Sequence, residues 1–397
     1  MGSSILVIGG GIGGLAAALS IARTGQSVCV LEQAPEFSEI GAGLQLGPNA
    51  IAVLDNLGLY DEIKKYAVFP ERLVLMDAIR ERELSALDLT KEFLHRYGYP
   101  YAVMHRSDLH AVLANACRQE ENMLLITDKK VVNMHDLGSE VEVQCQDGST
   151  YMANAVIGAD GLWSTTRKRL VEDEPIPDGF VAYRGAVPLS GMNAHARLED
   201  VVMWIGPDMH FVQYSVRGNE LYNQVAVFKS KRYHEGVEDW GGPDELDAHY
   251  QICCPTIQKA MEYIHRDKHW KMFDREPIDN WTMGRISLLG DAAHPMYQYM
   301  AQGACQAIED AECLGRMFEK YGDDIQHVFA EYQNERIPRT ARVQRSVRTW
   351  GHIIHASDPT TVLLRNTILE RRASSDLSFV EWIYGGHNIK LANRASR

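Results

Sequence analysis

The chain has 397 residues, and at roughly 150 residues per domain that length allows two to three domains with sizeable cores, which excludes a small stapled scaffold. Forty Lys plus Arg against 53 Asp plus Glu leave a formal charge of −13, a field that repels nucleic-acid phosphates and anionic lipid. Apolar residues at 45% and charged residues at 23% describe a folded chain, and seven cysteines without a C-x-x-C pair fit a reducing cytoplasm better than a disulfide framework or a zinc site.

The opening 22 residues are uncharged but lack a basic flank and are crowded with glycine, so they read as strand, loop and helix, not as a leader or a membrane span. Ser4 to Ile8 is an apolar run without alternation, as a parallel strand buried on both faces requires. Gly9-Gly10-Gly11-Ile12-Gly13-Gly14 follows, then helical character over Leu15 to Thr24 capped by Gly25, then a second apolar strand from Ser27 to Leu31 that closes on Glu32. Gly9, Gly11 and Gly14 satisfy G-x-G-x-x-G inside a βαβ unit. The first glycine allows the tight turn, the second lets a pyrophosphate approach, and the third lets helix pack on strand. Glu32, eighteen residues beyond Gly14, is placed to accept from ribose hydroxyls. This fingerprint does not by itself separate NAD from FAD.

Gly41 to Asn49 reads as a mobile glycine-rich loop that opens a helix through Leu57, with Gly41, Gly43 and Gly47 as hinges. Residues 72–100 and 178–230 alternate like antiparallel strands and suggest a second sheet, the candidate substrate layer. Ser107 to Arg118 is helical, and Glu140 to Cys145 with Ser149 to Gly158 forms a hairpin across Asp147-Gly148. Ile286 to Gly290 is another buried strand, Gly303 to Tyr321 a helix, and 325–356 a helix broken at Pro338. Arg336, Arg339, Arg342, Arg345 and Arg348 recur every third residue and read as a solvated helix face. His352 and His355 have no evident third ligand, so no metal is expected. Cys253-Cys254 reads as buried thiol, and no G-x-S-x-G or G-x-x-x-x-G-K motif supports a hydrolase or a triphosphatase.

Three later segments, His105-Arg106-Ser107-Asp108-Leu109, Gly158-Ala159-Asp160-Gly161 with Arg167, and Leu289-Gly290-Asp291-Ala292-Ala293-His294-Pro295, resemble in kind and order the flavin-dependent aromatic hydroxylases, single-component monooxygenases acting on phenols. The resemblance extends over nearly the whole chain through Ala182-Tyr183-Arg184-Gly185, His210 to Tyr214, Asn223 to Phe228, Asp274 to Ile278 and Leu288 to Asp310. It implies an α/β chain, α+β overall, with three parts. A Rossmann-like FAD-binding domain (1–75, 100–177, 275–345) is interleaved with an antiparallel-sheet substrate domain (76–99, 178–274) and followed by a C-terminal helical region (346–397).

The resemblance also implies FAD as cofactor, with Gly43 among the residues that bind it, Arg106, Asp160 and Asp291 reaching it, and the Gly303-Ala304 turn facing the flavin where negative charge develops on reduction. Gly303 allows close backbone approach there, and the helix N-terminus favours that charge. His210, Val212 and Tyr214 fall on one strand face by alternation. His210, ordinarily titrating near neutrality, is assigned as the general base for a phenol proton and Tyr214 as the orienting residue. Gln298 is placed toward the flavin's reactive edge to bond the substrate, whereas His294 is structural. The implied co-substrates are O2 and NADH, with NADPH as the open alternative. The implied substrate is a small phenolic aromatic acid, 3-hydroxybenzoate hydroxylated to gentisate ahead of salicylate or a hydroxynicotinate. A cytoplasmic homodimer is expected. A non-catalytic FAD-binding protein and an NAD-linked dehydrogenase are the readings from other classes.

Overall fold

The computed structural model describes residues 3–37, 42–191 and 198–385. The opening apolar run forms β1 (Ser3–Ile8), the glycine turn leads into α1 (Ile12–Ala22), and β2 (Val28–Leu31) pairs parallel with β1. Then come β3 (Gly43–Leu46), α2 (Pro48–Asn56), β4 (Arg72–Asp77), β5 (Arg82–Asp88) and β6 (Ala102–His105). The helix Arg106–Gln119 precedes β7 (Met123–Ile126), β8 (Val131–Asp136), β9 (Val141–Cys145) and β10 (Thr150–Gly158). The second half holds β11 (Ile176–Pro188), β12 (Asp200–Gly206), β13 (Met209–Val216), β14 (Leu221–Lys229), β15 (His269–Asp274), β16 (Thr282–Met283) and β17 (Ile286–Leu288), then the helices Gly303–Tyr321, Ile325–Ile354 and Pro359–Glu370.

Among the described residues, eight strands make the first sheet, in the order β16-β17-β10-β1-β2-β7, with β9 and β8 extending antiparallel from β10. β17, β10, β1, β2 and β7 run parallel, so their carboxyl ends open on one side, where doubly wound sheets bind ligands. The second sheet has the order β15-β11-β14-β13-β12-β4-β5. Both of its faces are covered. One carries Val181, Tyr183, Phe211 and Phe228 against the helical insert after β14; the other carries Phe180, Ala182, Val212 and Tyr214 toward Tyr299, Val343 and Val347. Full burial of β13 from Met209 to Val216 follows, which hides alternation from a hydropathy reading but not the face each side chain takes.

Several expectations are corrected. The glycine-rich stretch around Leu44 is not a loop: β3 pairs antiparallel with β6, and the Gly43 N–H donates to Asn223 Oδ1 at 2.8 Å. Gly41 lies outside the described residues. The second sheet is not wholly antiparallel, since β12 and β4 run parallel; it begins at residue 72, where the alternation begins, four residues before the domain boundary given as 76. Residues 91–97 form a helix that buries Phe93 and Tyr97. Pro338 does not break its helix, which runs unbroken from Ile325 to Ile354 and so crosses the boundary expected at residue 345. Buried Tyr332 and Arg336 before it and Thr340, Val343, Gln344 and Val347 after it hold both halves against the same core, offsetting the backbone hydrogen bond that proline removes. The arginine row is solvated only in part: Arg342 and Arg345 are exposed, and the other three are engaged. Arg336 is buried on Glu309 and Asp310 (both 2.6 Å), Arg339 bonds Glu309 and the Ile383 carbonyl, and Arg348 bonds Asp274 (2.6 Å).

Candidate active site

The glycine turn is built for close approach. Gly9 sits at φ +106°, where a Cβ would lie 2.4 Å from the Ala159 carbonyl oxygen, and a Cβ on Gly14 would lie 2.0 Å from the Gly9 carbonyl oxygen. α1 opens on Gly11 with no side-chain cap among the described residues and no acid in its first turn, the arrangement that leaves a helix N-terminus open to an anion. Glu32, at the end of β2, accepts from the N–H groups of Gly10 (2.7 Å) and Ala34 (2.8 Å). His110 bonds the Gly10 carbonyl at 2.7 Å and braces the turn from the Arg106–Gln119 helix.

The later motifs converge on the same sheet edge. The Leu289 N–H donates to the Gly158 carbonyl at 2.9 Å, and the fully buried Arg167 donates to the carbonyls of Ala292 (3.0 Å) and Ala293 (2.8 Å), tying the Asp160 turn to the Asp291 turn. Asp291 is exposed, and its Oδ1 lies 3.9 Å from where a Gly303 Cβ would sit, so these two expected flavin contacts adjoin. The Gly303–Tyr321 helix, with Ala304 in its first turn, starts without a side-chain cap or an early acid, a second open helix terminus. Arg106 is exposed at the start of its helix, its N–H on the Ala42 carbonyl at 2.9 Å. Asp160 is different: its carboxylate accepts from the hydroxyls of Ser164, Thr165 and Thr166 and from the Thr165 and Thr166 N–H groups, so it folds the turn that follows β10.

The other candidate residues come from the second sheet. Registers place Ala182, Val227 and His210 in one cross-strand row, Arg184, Val225 and Val212 in the next, and Ala186, Asn223 and Tyr214 in the third. His210 and Tyr214 do share a face, but their side chains meet different neighbours. His210 Nδ1 lies 2.6 Å from His355 Nε2, with Tyr299 edge-on to the ring, while the Tyr214 hydroxyl lies 2.6 Å from where a Gly43 Cβ would sit. Gln298 projects from a short turn and its Oε1 accepts from Arg184 Nη2 at 3.2 Å.

Burial sets the electrostatics. It pulls the His210 imidazole down to about 3, so an argument from its ordinary value does not carry over: the ring is neutral at pH 7. His355 is pulled well below its usual value by burial and then by His210. The Tyr214 phenol is pushed up by burial. Tyr299 donates to Asp178 at 2.8 Å, and burial pushes that carboxyl up to about 6. His294 is held by Asp310 at 2.6 Å beneath the Asp291 turn, in keeping with a structural role.

Sequence reasoning assigned no part to His110, Arg184, Asn223 or His355. Arg184 and Asn223 lie in stretches already singled out, and a charged or amide residue in an otherwise apolar strand was the available signal; nothing in the sequence pairs His355 with His210.

A family model described as "FAD binding domain" matches residues 3–347. The chain belongs to this family. It is 39% identical over 382 residues to "3-hydroxybenzoate 6-hydroxylase" from Klebsiella oxytoca, covering 96% of each chain. It is 36% identical to "6-hydroxynicotinate 3-monooxygenase" from Bordetella bronchiseptica over 86% of this chain and 89% of that one. In fold it matches Klebsiella pneumoniae HpxO complexed with FAD and uric acid, with a TM-score of 0.84 at 22% identity over 96% and 97% of the two chains. The glycine cradle and the two uncapped helix starts fit the cofactor of this family.

Proposed function

We propose that the protein is an FAD-dependent monooxygenase that uses NADH and O2 to hydroxylate 3-hydroxybenzoate para to its hydroxyl, giving gentisate. The observation that carries the reading is 39% identity over nearly the full length of a 3-hydroxybenzoate 6-hydroxylase, in a chain whose second sheet carries His210 and Tyr214 on one face, with Gln298 bonded to Arg184 of the same sheet. When bound, FAD passes two electrons from NADH to O2 and delivers one oxygen atom to the ring. Gly9, Gly11 and Gly14 would admit its pyrophosphate, Glu32 would accept from its ribose, and Arg106, Asp160 and Asp291 would hold the flavin part. The N–H groups at Gly303 and Ala304 favour the charge that reduction brings.

His210 accepts the phenol proton. The phenolate then supplies beside the imidazolium the opposite charge that the described side chains do not place there. Tyr214, held between β3 and Asn223, orients the ring, and Gln298 bonds a polar substituent. One oxygen atom enters the ring, the displaced ring hydrogen leaves as a proton, and the second oxygen leaves as water. The apolar residues Val212 and Val225 between the polar groups keep bulk water from the reacting carbon. Identity to the 6-hydroxynicotinate enzyme supports a hydroxylated pyridine acid as the second reading.

Seven buried free thiols support a cytoplasmic setting. The exposed Leu363, Leu364 and Ile368 on the Pro359–Glu370 helix support a homodimer. No helix among the described residues is long and apolar enough to cross a membrane. Following NADH oxidation with a panel of hydroxybenzoates and hydroxynicotinates, with products identified, tests the activity. Gentisate from 3-hydroxybenzoate is expected, and a panel yielding no hydroxylated product refutes it.

A further inference from the structure

Buried charges in folded proteins are paired, because an unpaired one forfeits its hydration without return. Arg184, half-buried with its Nε atom fully covered, departs from that rule. Its guanidinium ion-pairs with no carboxylate among the described residues; its surroundings are Tyr214, the ring of Trp270 (5.0 Å from guanidinium carbon to ring centroid) and, repulsively, Arg106. The described protein gives it one hydrogen-bond acceptor, Gln298 Oε1 at 3.2 Å, and its Nε–H is buried without a partner. One strand away on the same face, Asn223 spends its Oδ1 on the Gly43 N–H and leaves Nδ2 buried without a partner as well. Two donors lacking acceptors, one of them cationic, therefore look onto one wall.

Register fixes where that wall would hold an anion. Arg184 shares its row with Val225 and Val212, midway between the rows of His210 and Tyr214, so the cation lies across the apolar Val212–Val225 floor from the imidazole. A meta-substituted phenolic acid presents a proton donor and a carboxylate on opposite sides of one flat apolar ring. We infer that Arg184, aided by the Asn223 amide, binds the carboxylate of the aromatic acid, and that Gln298 presets the guanidinium for it. This rests on the aromatic-acid reading above and adds the residue that makes the acid, as against a neutral phenol, the preferred ligand. A guanidinium suits the task because its planar fork matches a carboxylate.

The test titrates yellow holoenzyme, wild type, Arg184→Gln and Arg184→Lys, with 3-hydroxybenzoate and with its neutral amide, reading Kd from the flavin absorbance change. Wild type is expected to prefer the acid. Arg184→Gln should weaken acid binding by about 10²- to 10³-fold while leaving the amide within about threefold, and Arg184→Lys should keep part of the preference. A preference unchanged in Arg184→Gln, an equal loss for acid and amide, absence of any acid preference in wild type, or a variant stripped of its flavin would each overturn the assignment. Product formation is read separately. A wild type that prefers the acid through Arg184 yet makes no gentisate overturns the proposed activity and leaves the carboxylate site standing.

Discussion

His210 Nδ1 and His355 Nε2 lie 2.6 Å apart, joining β13 to the segment just past the Ile325–Ile354 helix, with Tyr299 edge-on to both rings. One proton occupies that contact, so the tautomer of one ring dictates that of the other. When His210 donates from Nδ1, its Nε2 keeps the lone pair that a phenol proton needs. His355→Phe removes the acceptor and His355→Asn retains one. We expect kcat to fall about tenfold to a hundredfold in the first with KM little changed, and by less in the second. A His355→Phe enzyme with wild-type kcat across pH removes the pair from the mechanism.

The His210→Ala variant should lose about 10²- to 10⁴-fold in hydroxylation at neutral pH, with a smaller deficit at alkaline pH where phenolate forms unaided. Steady-state rates of product formation from about pH 6 to 9 read this directly, and a deficit independent of pH contradicts it.

Stability should depend on the same ring. The unfolded chain protonates His210 near 6.5, whereas burial holds the folded one to about 3. The stability linked to the neutral ring is therefore complete above about 6.5 and is lost as pH falls toward 3, by on the order of 2 kcal/mol at about pH 5. Asp178, raised to about 6, works in the opposite sense over part of this window. The measurement is thus the difference in thermal midpoint between wild type and His210→Phe. That difference should shift in the variant's favour on acidification, and a constant difference counts against it.

Glycine positions separate cofactor from substrate. Gly14→Ala drives a methyl against the Gly9 carbonyl oxygen and should give colourless protein. Gly43→Val meets the Tyr214 hydroxyl at 2.6 Å and Asn223 Cγ at 2.7 Å, so it should retain flavin and lose substrate affinity. Because β3 is a paired strand, the rate of flavin reduction is expected to change less than substrate Kd; the reverse order would favour a hinge there.

Arg336, buried between Glu309 and Asp310, should cost about 3–5 kcal/mol when replaced by methionine, since two carboxylates lose their common counter-ion. Chemical denaturation measures this, and a loss below about 1 kcal/mol would mean the cluster is solvated as a helix surface.

The first βαβ unit was legible because each glycine answers a local steric demand, and the later motifs because short turns at strand ends carry their own chemistry. What escaped the sequence depends on pairing at a distance. The Leu44 segment carries turn-like glycines, yet its strand state is decided by β6, some sixty residues away. Arg336 looked solvated because a three-residue period is also that of an exposed face; its carboxylate partners lie on the preceding helix. His355 is separated from His210 by 145 positions, and Arg184 stands out only once it is seen in space to have no acid beside it among the described residues.

The most direct measurement supplies yellow holoenzyme with 3-hydroxybenzoate, NADH and ¹⁸O-labelled dioxygen and analyses the product by mass spectrometry. The account predicts gentisate carrying one labelled oxygen, formed with NADH consumption. NADH consumed with only labelled peroxide formed, or an aromatic product whose new oxygen comes from water, would contradict it.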